Sequence, residues 1–135
     1  MPRRDHDSEP QPDAFVAACP SRDVLAHLGS KWTLLILVAL EDEPVRFGAL
    51  RRRVEGISQK MLTQSLRRLE RDGLVTRQQF DEMPLRVEYR ATALAQGVLP
   101  IAGQLKRWVE ENFHEIEAQQ HTFDREKGHR QASPT

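Results

Sequence analysis

The chain of 135 residues lacks two features that would place it in large classes of proteins. It has one cysteine, Cys19, which excludes an intramolecular disulfide framework and a multi-cysteine metal site, because both need several sulfur atoms. It also has no apolar run of about 18 residues and no signal-peptide segment near its N-terminus. These absences predict a cytoplasmic protein that does not contact a membrane.

Motifs for catalysis and metal binding are also missing. The five histidines, at positions 6, 27, 114, 121 and 129, show no close ligand spacing with cysteine or carboxylates. There is no GxSxG, P-loop, GxGxxG or paired-carboxylate arrangement, and no base that the sequence could nominate for Ser58 or Ser65. We therefore expect a protein that is not an enzyme and that binds no metal or cofactor.

The formal net charge is zero, but the charges are unevenly distributed. Residues 46–90 contain eleven Lys and Arg against six Asp and Glu, a net charge of +5, and the rest of the chain carries −5. A basic middle between acidic ends is typical of a DNA-binding segment, although arginine-rich surface helices also occur for solubility alone. Charge by itself leaves both interpretations open.

One domain, spanning 14–121, is predicted between a disordered arm at 1–13 and a disordered tail at 122–135, because both ends are polar and aperiodic. Its first helix opens at Cys19-Pro20 and stops at Gly29. A second, buried helix follows from Ser30 and ends before Pro44. The pair Val45-Arg46 then indicates a brief strand, and the run FGALRRRV a third helix.

The most informative helix begins at Ser58, a good N-cap that follows a tight turn at residues 55–57. Leu62, Leu66 and Leu69 predict its buried stripe, and Gly73 its C-terminal stop. A separate polar stripe at helical spacing predicts its exposed face: Lys60, Gln64, Arg67 and Arg71.

Two short runs with β-type residues, LVTRQQF and RVEYRAT, predict a hairpin joined by residues 81–85. The last helix is expected from Thr92 to about Gln120, kinked or divided by Pro100. The predicted fold is mainly α with a small antiparallel β-hairpin (α+β). This order of elements is a winged helix-turn-helix with an extra helix at each end.

The polar stripe of the helix at 58–72 has the chemistry of a major-groove reader. Lys and Arg pair with guanine, Gln pairs with adenine, and a threonine such as Thr63 can contact a thymine methyl group or a phosphate. An ordinary amphipathic helix with a solvated face would show the same period. The hairpin likewise either contacts DNA or closes the core through Val87 and Tyr89. The candidate DNA-binding residues are Ser58, Gln59, Lys60, Thr63, Gln64, Arg67, Arg68, Arg71, Arg46, Arg51, Arg77 and Arg86.

The chain resembles the HxlR family of bacterial regulators in several motifs in the same order. They are CP at 19–20, GSKWTLLIL at 29–37, RFGALRR at 46–52, GISQKMLTQSLRRLERDGLVTR at 56–77, Pro84, VEY at 87–89, Thr92 and Trp108. The resemblance implies a homodimer that binds inverted-repeat double-stranded DNA as an activator or repressor, with the first and last helices at the dimer interface. The interface candidates are Leu25, Leu28, Leu105, Trp108 and Val109. A winged-helix module that binds only protein is the alternative.

Cys19 has two interpretations. At the start of a helix its thiolate is favoured by the helix dipole, which suits a sensor of oxidants, electrophiles or another small-molecule effector, a role that the family resemblance also implies. A buried, inert packing residue is the other interpretation, since free cysteines are often buried and this chain has no second cysteine to form a disulfide with it.

Overall fold

The computed structural model describes residues 11–132, with side chains to residue 128. The helices are α1 Ser21–Leu28, α2 Lys31–Ala39, α3 Phe47–Arg53, α4 Gln59–Arg71 and α5 Leu99–Ala132, with a 3-10 helix at Leu94–Gly97. The strands are β1 Val45–Arg46, β2 Val75–Phe80 and β3 Arg86–Ala91. The predicted mainly α winged helix-turn-helix is confirmed. Across this part of the chain, no helix is both long and apolar enough to span a membrane.

The sheet is larger than the predicted hairpin because β1 joins it. The three strands are antiparallel and lie in the order β1-β3-β2. Val45 pairs with Tyr89, and Phe80 pairs with Arg86 at the far end of the hairpin. The sheet therefore ties the entrance of α3 to the strand that leaves the hairpin.

Helix α2 lies at the centre of the hydrophobic core, as its unbroken apolar sequence predicts. Ile36 and Leu37 have no exposed surface, and α2 contacts α1, α3, α4 and α5. The leucine stripe of α4, Leu62, Leu66 and Leu69, is also fully or almost fully buried. Because these leucines pack into one core cluster with α2, they set the rotation of α4 about its axis.

The start of α4 is stabilised by the local interactions that its sequence predicts. The Ser58 hydroxyl accepts a hydrogen bond from the Met61 N–H at 3.1 Å, which satisfies one free donor of the first turn. Gly56 in the preceding turn has φ +91°, a left-handed conformation that favours glycine.

The end of α4 connects directly to the hairpin. Gly73 has φ +78°, and the Leu74 N–H donates to the Leu69 carbonyl at 2.9 Å, which is the pattern of a Schellman motif. The Thr92 hydroxyl donates to the Gly73 carbonyl at 2.6 Å, so the strand that leaves the hairpin is tied to the same turn. These bonds hold the hairpin at a set position beside α4.

The C-terminal region differs from its prediction. The expected disordered tail at 122–135 is wrong for residues 122–132, because α5 continues to Ala132. Residues beyond Gln120 lack a hydrophobic period, but five of residues 121–132 are the helix-forming types Arg, Glu, Lys and Gln, and no proline occurs there before Pro134. Pro100 lies in the first turn of α5 and separates it from the 3-10 helix, so the predicted division is confirmed. Residues 1–10 of the expected arm lie outside the described residues, as do 133–135.

Truncation of the α4 stripe tests the core. We expect Leu66→Ala to lower the free energy of unfolding by about 2–5 kcal/mol, because it removes buried methyl groups and leaves a cavity. Urea denaturation followed by circular dichroism measures the loss. Gln64→Ala, on the exposed face of the same helix, should change stability by no more than about 0.5 kcal/mol. Equal effects of the two changes would contradict the assignment of the two faces.

Candidate nucleic-acid interface

Helix α4 presents a continuous polar face to solvent. Lys60, Gln64, Arg67 and Arg71 are all exposed, whereas the leucines one face away are buried. Ser58 and Gln59 at its N-terminus are exposed as well. The two stripes inferred from helical spacing therefore correspond to two real faces.

Two clefts lie between α4 and the sheet. The first, of about 430 Å³, includes Gln59 and Thr63 of α4, Arg46, and Arg77 and Arg86 of the hairpin. The second, of about 480 Å³, extends the same boundary further along α4; its lining residues are Thr63, Arg67, Glu70, Arg77 and Tyr89. Helix α4 and the sheet thus form one concave, cationic surface. The predicted DNA-binding residues that line it lie up to 40 positions apart in the sequence.

Most cations of this surface form no ion pair within the described residues, although Arg77 Nη2 donates a hydrogen bond to Gln79 Oε1 at 3.4 Å. Among residues 11–128, no ion pair involves Lys60, Arg67 or Arg71 of α4, or Arg46 and Arg77 beside the clefts. Arg51 on α3 is exposed and likewise outside every ion pair in that range. These side chains can offer their full charge to an anionic partner.

Arg68 has a different environment from the rest of the stripe. Its Nε lies 3.2 Å from Asp72 Oδ2 one turn later, and its side chain is only about a third exposed. Burial and the nearby Arg68 charge lower the pKa of His27 on α1, whereas Asp72 opposes that effect. Arg68 therefore lies on the flank of α4 that faces α1 and not on its outermost face.

The wing of the fold is the β2–β3 hairpin, residues 75–91. Arg86 in this wing also departs from the expectation of a free cation. It forms ion pairs with Glu82 at 3.1 Å and Glu88 at 3.3 Å, and its guanidinium carbon lies 3.8 Å from the centre of the Phe80 ring. Sequence reasoning missed these partners, although the two-residue spacing of Arg86 and Glu88 on one strand face was a usable signal. Glu70, in the second cleft, was also missed.

The comparison with protein families matches this architecture. A family model described as an HxlR-like helix-turn-helix matches residues 27–117. The chain belongs to the HxlR family. The HTH-type transcriptional regulator YtfH of Escherichia coli is 45% identical over 102 residues, covering 76% of this chain and 81% of that protein.

Solved structures of regulators with similar sequences have the same fold. A transcriptional regulator ytfH from Salmonella typhimurium superposes with a TM-score of 0.79 at 43% identity, covering 82% of this chain and 99% of that one. The redox regulator HypR, in its oxidised form, gives a TM-score of 0.64 at 38% identity, covering 70% and 97% of the two chains. The winged helix-turn-helix is therefore shared along most of the chain.

A second surface of this HxlR member is apolar. On α5, Leu105, Trp108 and Val109 are 47%, 55% and 41% exposed, and on α1 Leu25 is 59% exposed. Leu28 differs from these four, because it packs against the chain's own core. Four of the five predicted interface residues thus present substantial apolar surface to solvent, and the fifth contributes mainly to the fold.

Cys19 lies just before α1 and is half-buried. Its Sγ is 3.0 Å from the Ser21 hydroxyl and accepts a hydrogen bond from the Asp13 N–H at 3.4 Å. The Ser21 side chain, followed by the backbone donors of Asp13 and Ser21, lowers the pKa of the Cys19 thiol below its ordinary value. This environment stabilises the thiolate form of Cys19.

Proposed function

We propose that this HxlR protein is a homodimeric, sequence-specific DNA-binding regulator that places residues 58–72 in the major groove of an inverted-repeat operator. The observation that carries the proposal is the outer face of α4, where exposed lysine, glutamine and arginine side chains stand on a helix locked by its leucines. It acts by binding and not as an enzyme.

The chemistry of the outer face suits base recognition. Lys60 and Arg67 can donate to guanine O6 and N7, and Gln64 can form a two-bond pair with adenine. Ser58 and Gln59 stand at the helix N-terminus, where free backbone N–H groups and the helix dipole favour a phosphate. The clefts beside α4 leave Arg46 and Arg77 available for the sugar-phosphate backbone.

A two-fold dimer would explain why α1 and α5 expose apolar side chains. Leu105, Trp108 and Val109 place a contiguous apolar patch on one side of α5, and large exposed apolar patches mark interaction sites. A symmetric pair of α4 helices about 34 Å apart would reach successive major grooves. The operator would then have half-sites related by a two-fold axis.

A winged-helix module that binds only protein is the competing function. Protein-binding faces are commonly depleted of charge at their centre and anchored by aromatic side chains. The outer face of α4 has the opposite composition, with Lys60, Arg67 and Arg71 exposed and free of ion pairs within the described residues. This composition favours DNA over protein as the partner of α4. Protein contacts would then use the exposed apolar side chains of α1 and α5.

Cys19 provides a second candidate function, a thiol sensor that alters DNA binding. Support comes from the hydrogen bonds that favour its thiolate and from its place beside α1, one of the two helices proposed for dimer contact. A covalent adduct on Cys19 would alter that contact and thereby the spacing of the two α4 helices.

DNA binding is tested with full-length protein and a random duplex library, from which repeated selection recovers the preferred sequence. We expect an inverted repeat to be enriched, and Lys60→Ala and Arg67→Ala to weaken binding to it in fluorescence anisotropy. If Lys60 contacts a phosphate, Lys60→Ala should also reduce the magnitude of the negative slope of log K against log salt by about one.

The control is Lys127→Ala, which removes an exposed cation near the end of α5 and should leave affinity nearly unchanged. Failure to enrich any sequence over the input library would contradict sequence-specific binding. Full affinity in the Lys60→Ala/Arg67→Ala double variant would remove α4 as the recognition helix.

Dimerisation is tested by placing a charge on the apolar side of α5. Leu105→Asp and Trp108→Asp should each give monomers that bind the selected duplex poorly, because an unpaired carboxylate would be buried in the interface. Light scattering measures the mass, and circular dichroism confirms that the monomer is folded. Ala118→Asp, on another side of α5 by helical period, should remain dimeric. Dimers of unchanged mass in both interface variants would refute this interface.

The sensor proposal predicts a pH profile and a binding change. Since the pKa of Cys19 is lowered, its alkylation by iodoacetamide should become fast at a lower pH than in an unfolded peptide that contains Cys19. Ser21→Ala removes the largest cause of that shift and should move the profile to higher pH. Alkylated protein should bind the selected duplex several-fold differently from untreated protein, and Cys19→Ser should not respond. An alkylated protein with unchanged affinity would leave Cys19 as a packing residue.

A further inference from the structure

The wing contains one cation whose environment is unlike that of the others. Arg86 begins β3, opposite Phe80 of β2, and its side chain is 24% exposed. Its Nη2 lies 3.1 Å from Glu82 in the loop, and its Nη1 lies 3.3 Å from Glu88 on the same strand. The guanidinium also stacks on the Phe80 ring, with 3.8 Å between its carbon and the ring centre.

Two carboxylates outweigh the single charge of this guanidinium. Arg86, Glu82 and Glu88 together carry a net charge of −1 at neutral pH, so an approaching phosphate meets a negative cluster and not a free cation. Glu82 is half exposed on the loop side, where it would repel the same phosphate. A phosphate would have to displace both carboxylates and the aromatic contact to bind Arg86.

The same contacts join three separate parts of the hairpin. Phe80 belongs to β2, Glu82 to the loop, and Arg86 with Glu88 to β3. A guanidinium that holds all three limits the directions in which the loop can point. Arg86 also lines the cleft shared with Gln59 and Arg77, so the position of the loop determines the shape of that cleft.

We propose that Arg86 is a positioning residue of the wing and not a phosphate ligand. It sets the loop against the cleft so that Arg77, which forms no ion pair within the described residues, meets the sugar-phosphate backbone. The sequence-based expectation that Arg86 contacts DNA is revised accordingly. This proposal rests on the proposed function, DNA binding, and it assigns Arg86 a role in that function.

The salt dependence of DNA binding separates a positioning residue from a phosphate ligand. Arg77→Gln should reduce the magnitude of the negative slope of log K against log salt by about one, because each phosphate contact releases counterions. Because Arg86 acts through Arg77, Arg86→Gln should weaken binding several-fold and change the slope by no more than Arg77→Gln does. In an Arg77→Gln background it should change neither affinity nor slope further. Arg86→Lys keeps the charge but cannot stack and bridge two carboxylates, so it should not restore affinity.

A readout on the wild-type protein is independent of any folding defect in these variants. Side-chain protons of Arg86 above the Phe80 ring should resonate upfield in NMR spectra, and the shift should persist when the selected duplex is added. Loss of the shift on binding would overturn the proposal. So would a reduced salt slope in Arg86→Gln that Arg86→Lys restores, or an Arg86→Gln variant of unchanged affinity.

These outcomes are distinguishable from failure of the proposed function. If the wild-type protein selects no duplex, DNA binding itself fails. If it selects one, and Arg86→Gln in an Arg77→Gln background reduces the magnitude of the salt slope by about one further, only the role of Arg86 is wrong.

Discussion

The packing of the α4 leucine stripe against α2 is the constraint on which the rest of the structure depends. Leu62, Leu66 and Leu69 have almost no exposed surface, and they belong to one core cluster with Ile36 and Leu37. A helix held by three leucines on one face cannot rotate without exposing them. Its opposite face is therefore held toward solvent, which makes a polar stripe a surface of defined orientation.

The hairpin depends on the same packing through a very short connection. Gly73 ends α4 in a left-handed conformation, β2 begins two residues later, and Thr92 bonds back to the Gly73 carbonyl. Because so little chain separates them, the position of α4 fixes the position of the hairpin. The clefts lie between these two elements. Arg86 constrains the loop in a similar way, because its contacts with Phe80, Glu82 and Glu88 hold the two strands and the loop together at the far end of the hairpin.

Several apolar side chains of α1 and α5 remain substantially exposed within the described residues. Leu25, Leu105, Trp108 and Val109 would be expected inside a core, yet each is at least 41% exposed. The chain thus separates two kinds of surface, a cationic one around α4 and an apolar one on α1 and α5. This separation fits a regulator in which one surface binds nucleic acid and the other binds a second copy. Cys19, next to α1, is placed where a chemical change could affect the second surface.

The sequence by itself determined the order of elements and the two faces of α4, because those features have local causes. Ser58 caps a helix, Gly73 ends it, and leucines at helical spacing mark the buried side. The length of α5 was not predicted, because the missing hydrophobic period indicated an end near Gln120, whereas the helix continues to Ala132. Only the tertiary structure decided which cations are free, since that depends on the carboxylates and rings that turns and strand pairing bring within a few ångströms. Arg77 and Arg86 look alike in the sequence, yet β-sheet register and the loop surround one with carboxylates and leave the other exposed.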